Sequence, residues 1–441
     1  MSCTLELDAT GVGRAALARA LGGRLGRPAK LAMLWHDNGD AGLAARGLAL
    51  SERRESRGTL WQLAPLHPAP GAGSPIAEAA EMHSLGHALP AALLPVAAFA
   101  GTRRRVARDE VDIVLVQGEL RGLAGTAPLQ RLQLRGTAAA VVALARHLAG
   151  ADGVRVPPDS IARAAMQAAG RLGAAPHKVA GAAGLSAGLS IGEAFALLCA
   201  GLAGTLLGRG AQIAAIQIAG GAVVPRDPEP VHQMRVALRR LRSALALFAP
   251  ALPCPDMAAA RSGLKALAAA LGPARDWDVF VAETASGIAA GFPDEPAMAR
   301  LLGAAERRRS AAHAALRAHL GSADDRRLGV ALASLASFSP WNAAPPIRRP
   351  MGLRAHPPMP PRPSRPKPWW PSPAGRCHAR GTGCSPPVRP STPCPRTICT
   401  PSGCAPNGCA MPPRCSPRFI RAVTPPASCA GWRPCRRPSA G

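Results

Sequence analysis

The 441-residue chain contains no tyrosine, and aromatic residues make up only 3% of it. Proteins that hold single-stranded nucleic acid stack its bases on aromatic faces, so that mode of binding has little to work with here. Lysine is nearly absent, 4 of the 53 basic residues, and alanine, glycine and proline abound. This is the bias of GC-rich coding DNA, so the arginine count overstates selection for charge. Acids are missing after Asp325, whereas 16 basic residues follow Arg327. Up to Arg327, 37 basic residues face 26 acids, a net of +11 out of a total of +27. That excess indicates an anionic partner.

Long apolar runs are also lacking. The most apolar helix-like stretch, Ala194 to Gly208, is 15 residues long and ends at Glu193 and Arg209. Spanning a bilayer takes roughly 18 to 20, so no membrane partner is expected. Met1 to Asp8 is polar and acidic, unlike a secretory signal. Only Cys3, Cys199 and Cys254 fall in the first 340 residues, which suits a reducing cytoplasm. Gly122 to Gly125 lacks the spacing of a phosphate loop, and no cofactor or metal site is expected.

What is present is organised around Pro230 to Pro250, PVHQMRVALRRLRSALALFAP. At about 100° per residue, Val231, Met234, Leu238, Leu241, Leu245 and Phe248 share one apolar arc, the mark of a core-facing helix. His232, Arg235, Arg239 and Arg242 recur at three- and four-residue steps and stack on a second arc of roughly 80°. No acid in the segment offsets them. A stripe of like charges is most stable when a polyanion lies along it. The plain alternative is a solvated charged face.

VHQMRVALRRLRSALALF closely resembles the first signature helix of the CHAD family, the conserved-histidine α-helical domain. A second stretch, Leu264 to Phe280 with Leu271-Gly-Pro-Ala-Arg275-Asp276-Trp277-Asp278-Val279-Phe280, resembles that family's LGxARDxDVF junction. The resemblance implies a helical bundle of two similar halves whose basic residues bind inorganic polyphosphate. On that reading His232, Arg235, Arg239 and Arg242 contact phosphate oxygens, with Arg240, Lys265 and Arg275 as secondary candidates. Arginine suits the task because its fork bonds phosphate bidentately and stays charged; an unshifted His232 would add charge below about pH 6.5.

The first 150 residues mix short alternating strands with Ala-rich helices. Ser2 to Asp8 alternates, Arg14 to Leu25 suits a helix, and Gly47 to Ser51 pairs with Thr59 to Leu63 as a hairpin. Val106 to Val116 and Gln130 to Arg135 add strands, and Thr137 to Leu148 a helix. This order resembles a CYTH domain, the triphosphate-tunnel fold. Its motifs are eroded. The ExExK strand, which in that family binds metal and triphosphate, is here Thr4, Glu6 and Asp8. LRxRRE has become Ala49 to Glu55 with Ser51 at its first basic place, and the downstream lysine falls at Pro65. Asp112 matches one acid, Val116 stands at another, and the ELELE strand reads Arg131-Leu-Gln133-Leu-Arg135. Phosphoryl transfer needs a metal clamp to offset charge, so Glu6, Arg53, Arg54 and Asp112 are read as ordinary strand surface on a degenerate scaffold.

The expected class is α+β: a degenerate antiparallel β-tunnel domain (1–150), a linker (151–180), an incomplete all-α CHAD bundle (181–338) and a disordered tail (339–441). In the linker, Asp159 or Ser160 caps a helix from Ile161. Leu185 to Gly210, Met257 to Leu271, Arg275 to Ala289 and Glu295 to Leu320 supply further helices, with a break at Gly272-Pro273. Asp276 and Asp278 serve a helix start and salt bridges rather than a metal, and Arg307 to Arg309 form a solvated face.

The tail holds nine of the twelve cysteines and more than half of the 47 prolines. Cys394, Cys399, Cys404 and Cys409 recur every five residues, but no CxxC pair occurs, which disfavours zinc. A shifted reading frame accounts for this better. Leu-Arg is commonly CTG CGC, which yields TGC, cysteine, when read one base out of phase. Joining each third codon base to the next two across Thr397 to Ser416 gives DLHALRLRAKRLRYAAEVF, similar to the family's second signature helix. A frameshift near Phe338 to Pro345 is therefore expected, leaving a half-bundle with the apolar arc of 230–250 partly uncovered.

The expected function is binding of inorganic polyphosphate without catalysis, in the cytoplasm at polyphosphate granules. The alternatives are a metal-dependent triphosphatase in the N-terminal domain and non-specific nucleic-acid binding. The sequence sets no oligomeric state.

Overall fold

The computed structural model describes residues 3–343, apart from 23–24, 56–57, 73–75, 87–88, 91, 109, 173–184 and 216–226. Of the expected tail, Pro340–Ala343 form a single 3-10 turn with Trp341 against Phe195; the rest, including 397–416 on which the frameshift expectation rests, lies outside the described residues. The fold is α+β, an antiparallel sheet followed by helices.

The sheet takes β1 (Cys3–Asp8), β2 (Ala29–Asp37), β3 (Leu48–Glu55), β4 (Gly58–Pro65), β5 (Ala77–Ala79), β6 (Leu94–Arg108), β7 (Val111–Gly122) and β8 (Gly125–Gly136) in the order β1-β8-β7-β6-β2-β3-β4-β5. The β3–β4 hairpin is as expected. Val106 to Val116 is not one strand: the chain reverses between Arg108 and Val111, and Val106 pairs with Ile113 across the hairpin. Apolar residues on both sides of that turn hid it.

Each face of the sheet has its own cover. Leu5, Leu7, Ile113, Leu115, Leu132 and Leu134 form the outer face, packed by α1 (Arg14–Ala20) and α3 (Ala138–Leu148). Thr137 caps α3 by accepting from the Ala140 amide. On the inner face, Leu31, Met33, Trp35, Phe99, Val116 and Leu129 pack on Ala162, Ala165 and Met166. These come from α4 (Ile161–Ala168), capped by Ser160 as expected. A short α2 (Gly42–Ala45) is held at its start by Asp37, whose buried carboxylate accepts from the amides of Leu43 and Ala44.

The helical part comprises α5 (Ile191–Ala215), α6 (Glu229–Phe248), α7 (Pro255–Val279), a π-helical stretch (Phe280–Ala285), α8 (Ser286–Gly291), α9 (Pro296–Leu320) and α10 (Ala323–Ser337). Ser190 and Glu193 form a reciprocal capping box at the start of α5. At 25 residues, α5 is longer than its most apolar run, and among the described residues it is the one helix long and apolar enough to cross a membrane. Phe195, Cys199, Leu202, Leu206 and Ile213 bury one side of it in the helical core.

Two expectations change. The helix does not break at Gly272-Pro273: α7 runs through Pro273. Proline there removes one amide bond and crowds the preceding turn, and burial of Leu271, Ala274 and Asp278 on both sides outweighs the cost. Nor is the apolar arc of α6 uncovered. Val231, Met234, Leu238, Leu241 and Leu245 are all buried, and Phe248 packs on Phe195 with ring centroids 5.1 Å apart.

Helix α10 belongs to two cores at once. Leu328, Leu332 and Leu335 join the helical core, while Val330 and Ala333 enter the core beneath β1, β7 and β8. Arg326 reinforces the join, donating to the carbonyls of Ala149 and Gly321 and to Asp152. Burial raises the Asp325 pKa to about 7 against the pull of Arg155 and Arg326. A carboxyl raised on folding favours the folded state at low pH, and that contribution is lost as pH climbs from about 4 to about 7. Asp325→Asn should therefore raise the melting temperature relative to wild type more at pH 8 than at pH 4, measured by calorimetry across that range. Leu332→Ala should cost about 2 to 5 kcal/mol, and because the cores share α10, denaturation followed by circular dichroism should show sheet and helix melting in one transition.

Candidate functional site

Helix α6 begins where the Asp227 carboxylate accepts from the Glu229 amide at 2.9 Å, and the Glu229 carboxylate accepts from the Gln233 side chain one turn on. Acids suit a helix N-terminus, and Pro230 fits the first turn. Its buried arc then fixes where everything else points. Arg235, Arg239 and Arg242 are exposed and His232 half-buried, all within an arc of roughly 80°.

Helix α7 returns antiparallel after Ala249–Cys254, and Arg235 on α6 meets Asp276 near the end of α7 at 3.3 Å. That contact identifies the stripe as the α7-facing edge of α6. On α7, Lys265 and Gly272 share an edge with Asp276, within about 40° of one another. Stepping back along α7 from Asp276, one and two turns away, come the small residues Gly272, Ala269 and Ala268, with open space above Gly272. The stripe therefore lies along a shelf of small residues, open above the arginines.

Of the residues expected to bind phosphate, His232, Arg235, Arg239, Arg242 and Lys265 come together on the facing edges of α6 and α7. Arg240 is exposed but lies about 100° around the helix from Arg239, and Arg275 is half-buried about 100° from Asp276. Neither points along the shelf.

Asp276 and Asp278 do not start a helix; they sit in the last turn of α7. Both make ion pairs, as expected. Asp278 is buried and bonded by Arg309 Nε and His313 Nε2, each at 2.8 Å. Burial alone would raise its pKa, but the bonds from His313 and Arg309 prevail and hold it below the usual carboxylate range. Arg309 is thus a structural partner of α7, not part of a solvated face; Arg307 and Arg308 are exposed.

The register sorts the N-terminal candidates. Glu6 lies opposite Gln133, Asp8 opposite Arg131, Arg131 opposite Val116, and Arg135 opposite Asp112. With Arg53, they share the inner face; Arg54 points the other way and binds Glu52 at 2.6 Å. Glu6 and Asp8 are not ordinary strand surface, since both are buried. Gln133 Nε2 donates to Glu6 Oε1 at 2.8 Å, and burial pushes the Glu6 carboxyl up against that bond and the Arg131 charge. Asp8 is taken up by ion pairs with Arg131 and Arg155. On this face Asp8 is thus neutralised by arginines and Glu6 is bonded by a glutamine, both within the protein. Among the described residues no group of three or more His, Cys, Asp or Glu is placed to hold a metal.

Sequence comparison bears on the helical part. Residues 210–364 match the family model of the CHAD domain. The matched segment contains α6 to α10, with the shelf between the first two. The CHAD domain from the plant Ricinus communis is 31% identical, with a TM-score of 0.30; the match covers 37% of this chain and 51% of that one, so this chain spans about half its length. A Hippeastrum protein described as having a dominant triphosphatase activity is 16% identical, covering 31% and 80%, with a TM-score of 0.24. A Pyrococcus horikoshii protein is 14% identical, covering 35% and 93%, with a TM-score of 0.25. A search of curated proteins finds no match.

The Asp278 cluster ties α7 to α9, so Asp278→Ala should leave Arg309 and His313 without their shared acceptor. The expected loss is about 3 to 5 kcal/mol, read from urea unfolding at pH 7. Because a depressed carboxyl stabilises the fold only while ionised, the difference from wild type should shrink as pH falls below about 4.

Proposed function

We propose that this protein binds inorganic polyphosphate along the α6–α7 shelf, without catalysis of its own. The observation that carries the reading is the treatment of acids. Between Pro230 and Arg275 the one acid is Asp256, and it is buried, held by Arg146 from α3 and by Ser334 from α10. Arg235 meets Asp276 and Glu229 lies one turn before His232, but among the described residues Arg239, Arg242 and Lys265 make no ion pair. A flexible linear polyanion can thread such a shelf and bond each guanidinium in turn. The same reading places the protein where polyphosphate accumulates, in cytoplasmic granules.

Binding of labelled polyphosphate to the full chain tests this. Alanine at Arg235, Arg239 or Arg242 should each weaken binding about five- to tenfold, and affinity should fall steeply with salt. Unchanged affinity in the Arg239→Ala and Arg242→Ala variants would overturn the reading. Duplex DNA at equal phosphate concentration should compete poorly; ready displacement would favour non-specific nucleic-acid binding instead.

The triphosphatase alternative is disfavoured by the pairing of Asp8 with Arg131 and Arg155 and the burial of Glu6. Tripolyphosphate with magnesium or manganese should release no phosphate above a protein-free control. Release abolished by Glu6→Ala would restore the enzyme reading.

A further inference from the structure

The shelf does not end at Lys265. One turn further toward the start of α7, Arg261 is exposed and lies about 40° around the helix from Lys265. Arg261, Lys265, Gly272 and Asp276 fall within about 60° of one another, on the edge that Asp276 shows to face α6 through its contact with Arg235. From Asp276 back to Arg261 is about 22 Å at 1.5 Å per residue.

The two ends differ. At the Asp276 end a carboxylate stands in the row of cations, 3.3 Å from Arg235 and itself largely exposed. A phosphate arriving there must displace or oppose it. Along α7 the nearest acid to Arg261 is Asp256, which is buried against Arg146 and Ser334 and lies on another side of the helix. Among the described residues Arg261 makes no ion pair.

We infer that the α6–α7 track is polar, closed at Asp276 and open at Arg261, and that Arg261 makes it favour long polyphosphate chains over short ones. This rests on the polyphosphate reading above. A triphosphate covers one part of the track and gains little from Arg261. A chain of tens of phosphates can occupy Arg239, Arg242, Lys265 and Arg261 together and continue past the open end into solvent. Asp276 acts in the opposite sense, by competing for Arg235.

The test compares the affinities of tripolyphosphate and a long-chain polyphosphate preparation for the full chain and its Arg261→Ala, Arg261→Lys and Asp276→Asn variants. Arg261→Ala should lower the ratio of long-chain to tripolyphosphate affinity about five- to tenfold and reduce the slope of log affinity against log salt by about one for the long chain. Arg261→Lys should restore most of the ratio, and Asp276→Asn should strengthen binding of both ligands. Since Arg261 and Asp276 are exposed, unchanged circular dichroism is expected and serves as the folding control. If Arg239→Ala weakens long-chain binding while Arg261→Ala leaves the ratio unchanged, the open-ended track is refuted and the shelf stands. If neither weakens it, the polyphosphate reading itself fails.

Discussion

Seven full cations lie between Arg235 and Arg275, and the arrangement of the helical part follows from how their repulsion is tolerated. Like-charge neighbours on a helix surface cost about 0.2 to 0.5 kcal/mol per pair while water surrounds them. Burying an aliphatic side chain gains about 1.5 to 3 kcal/mol, and α6 alone buries Val231, Met234, Leu238, Leu241 and Leu245. Packing wins by a wide margin, provided that the arginines remain at the solvent edge. The helix can therefore hold its charges in line with Asp276 as the one ion-paired counterion along the stripe among the described residues, and the remaining repulsion persists as a demand for an external one.

The sheet handles charge by the opposite route. Two of its inner-face carboxylates are buried and answered from within, Asp8 by Arg131 and Glu6 by Gln133, while α4 seals another part of that face with alanines and Met166. What was left open on α6 and α7 is closed here. Arg146 links the two regions, since it leaves the sheet's helix α3 to neutralise Asp256 at the start of α7. A residue outside the bundle thus neutralises the one buried acid between the signature helix and Arg275.

Much of this was legible from local pattern. The signature helix was placed within two residues of α6 because a 3.6-residue apolar period and an N-terminal proline both survive in it. The β3–β4 hairpin and the cap at Ser160 were equally local. What escaped was set by distance along the chain or by tertiary burial. Asp8 and Arg131 are 123 residues apart, and Asp278 and Arg309 are 31 apart, so no periodicity announces either pair. Strand β2 and the first half of β6 are rich in alanine, which carries little strand signal. Gly272-Pro273 is a strong local breaker, overridden because Leu271 and Ala274 are buried on either side. Arg261 was passed over because its significance depends on which edge of α7 meets α6.

The π-helical stretch at Phe280–Ala285 follows directly on Asp278. A π turn accommodates an additional residue within an otherwise helical path, and each added residue rotates all that follows by about 100°. The stretch therefore works as a phase adjuster: Asp278 stays locked to α9, while α8 beyond it is turned to a different angle and shows Ile288 and Phe292 to solvent.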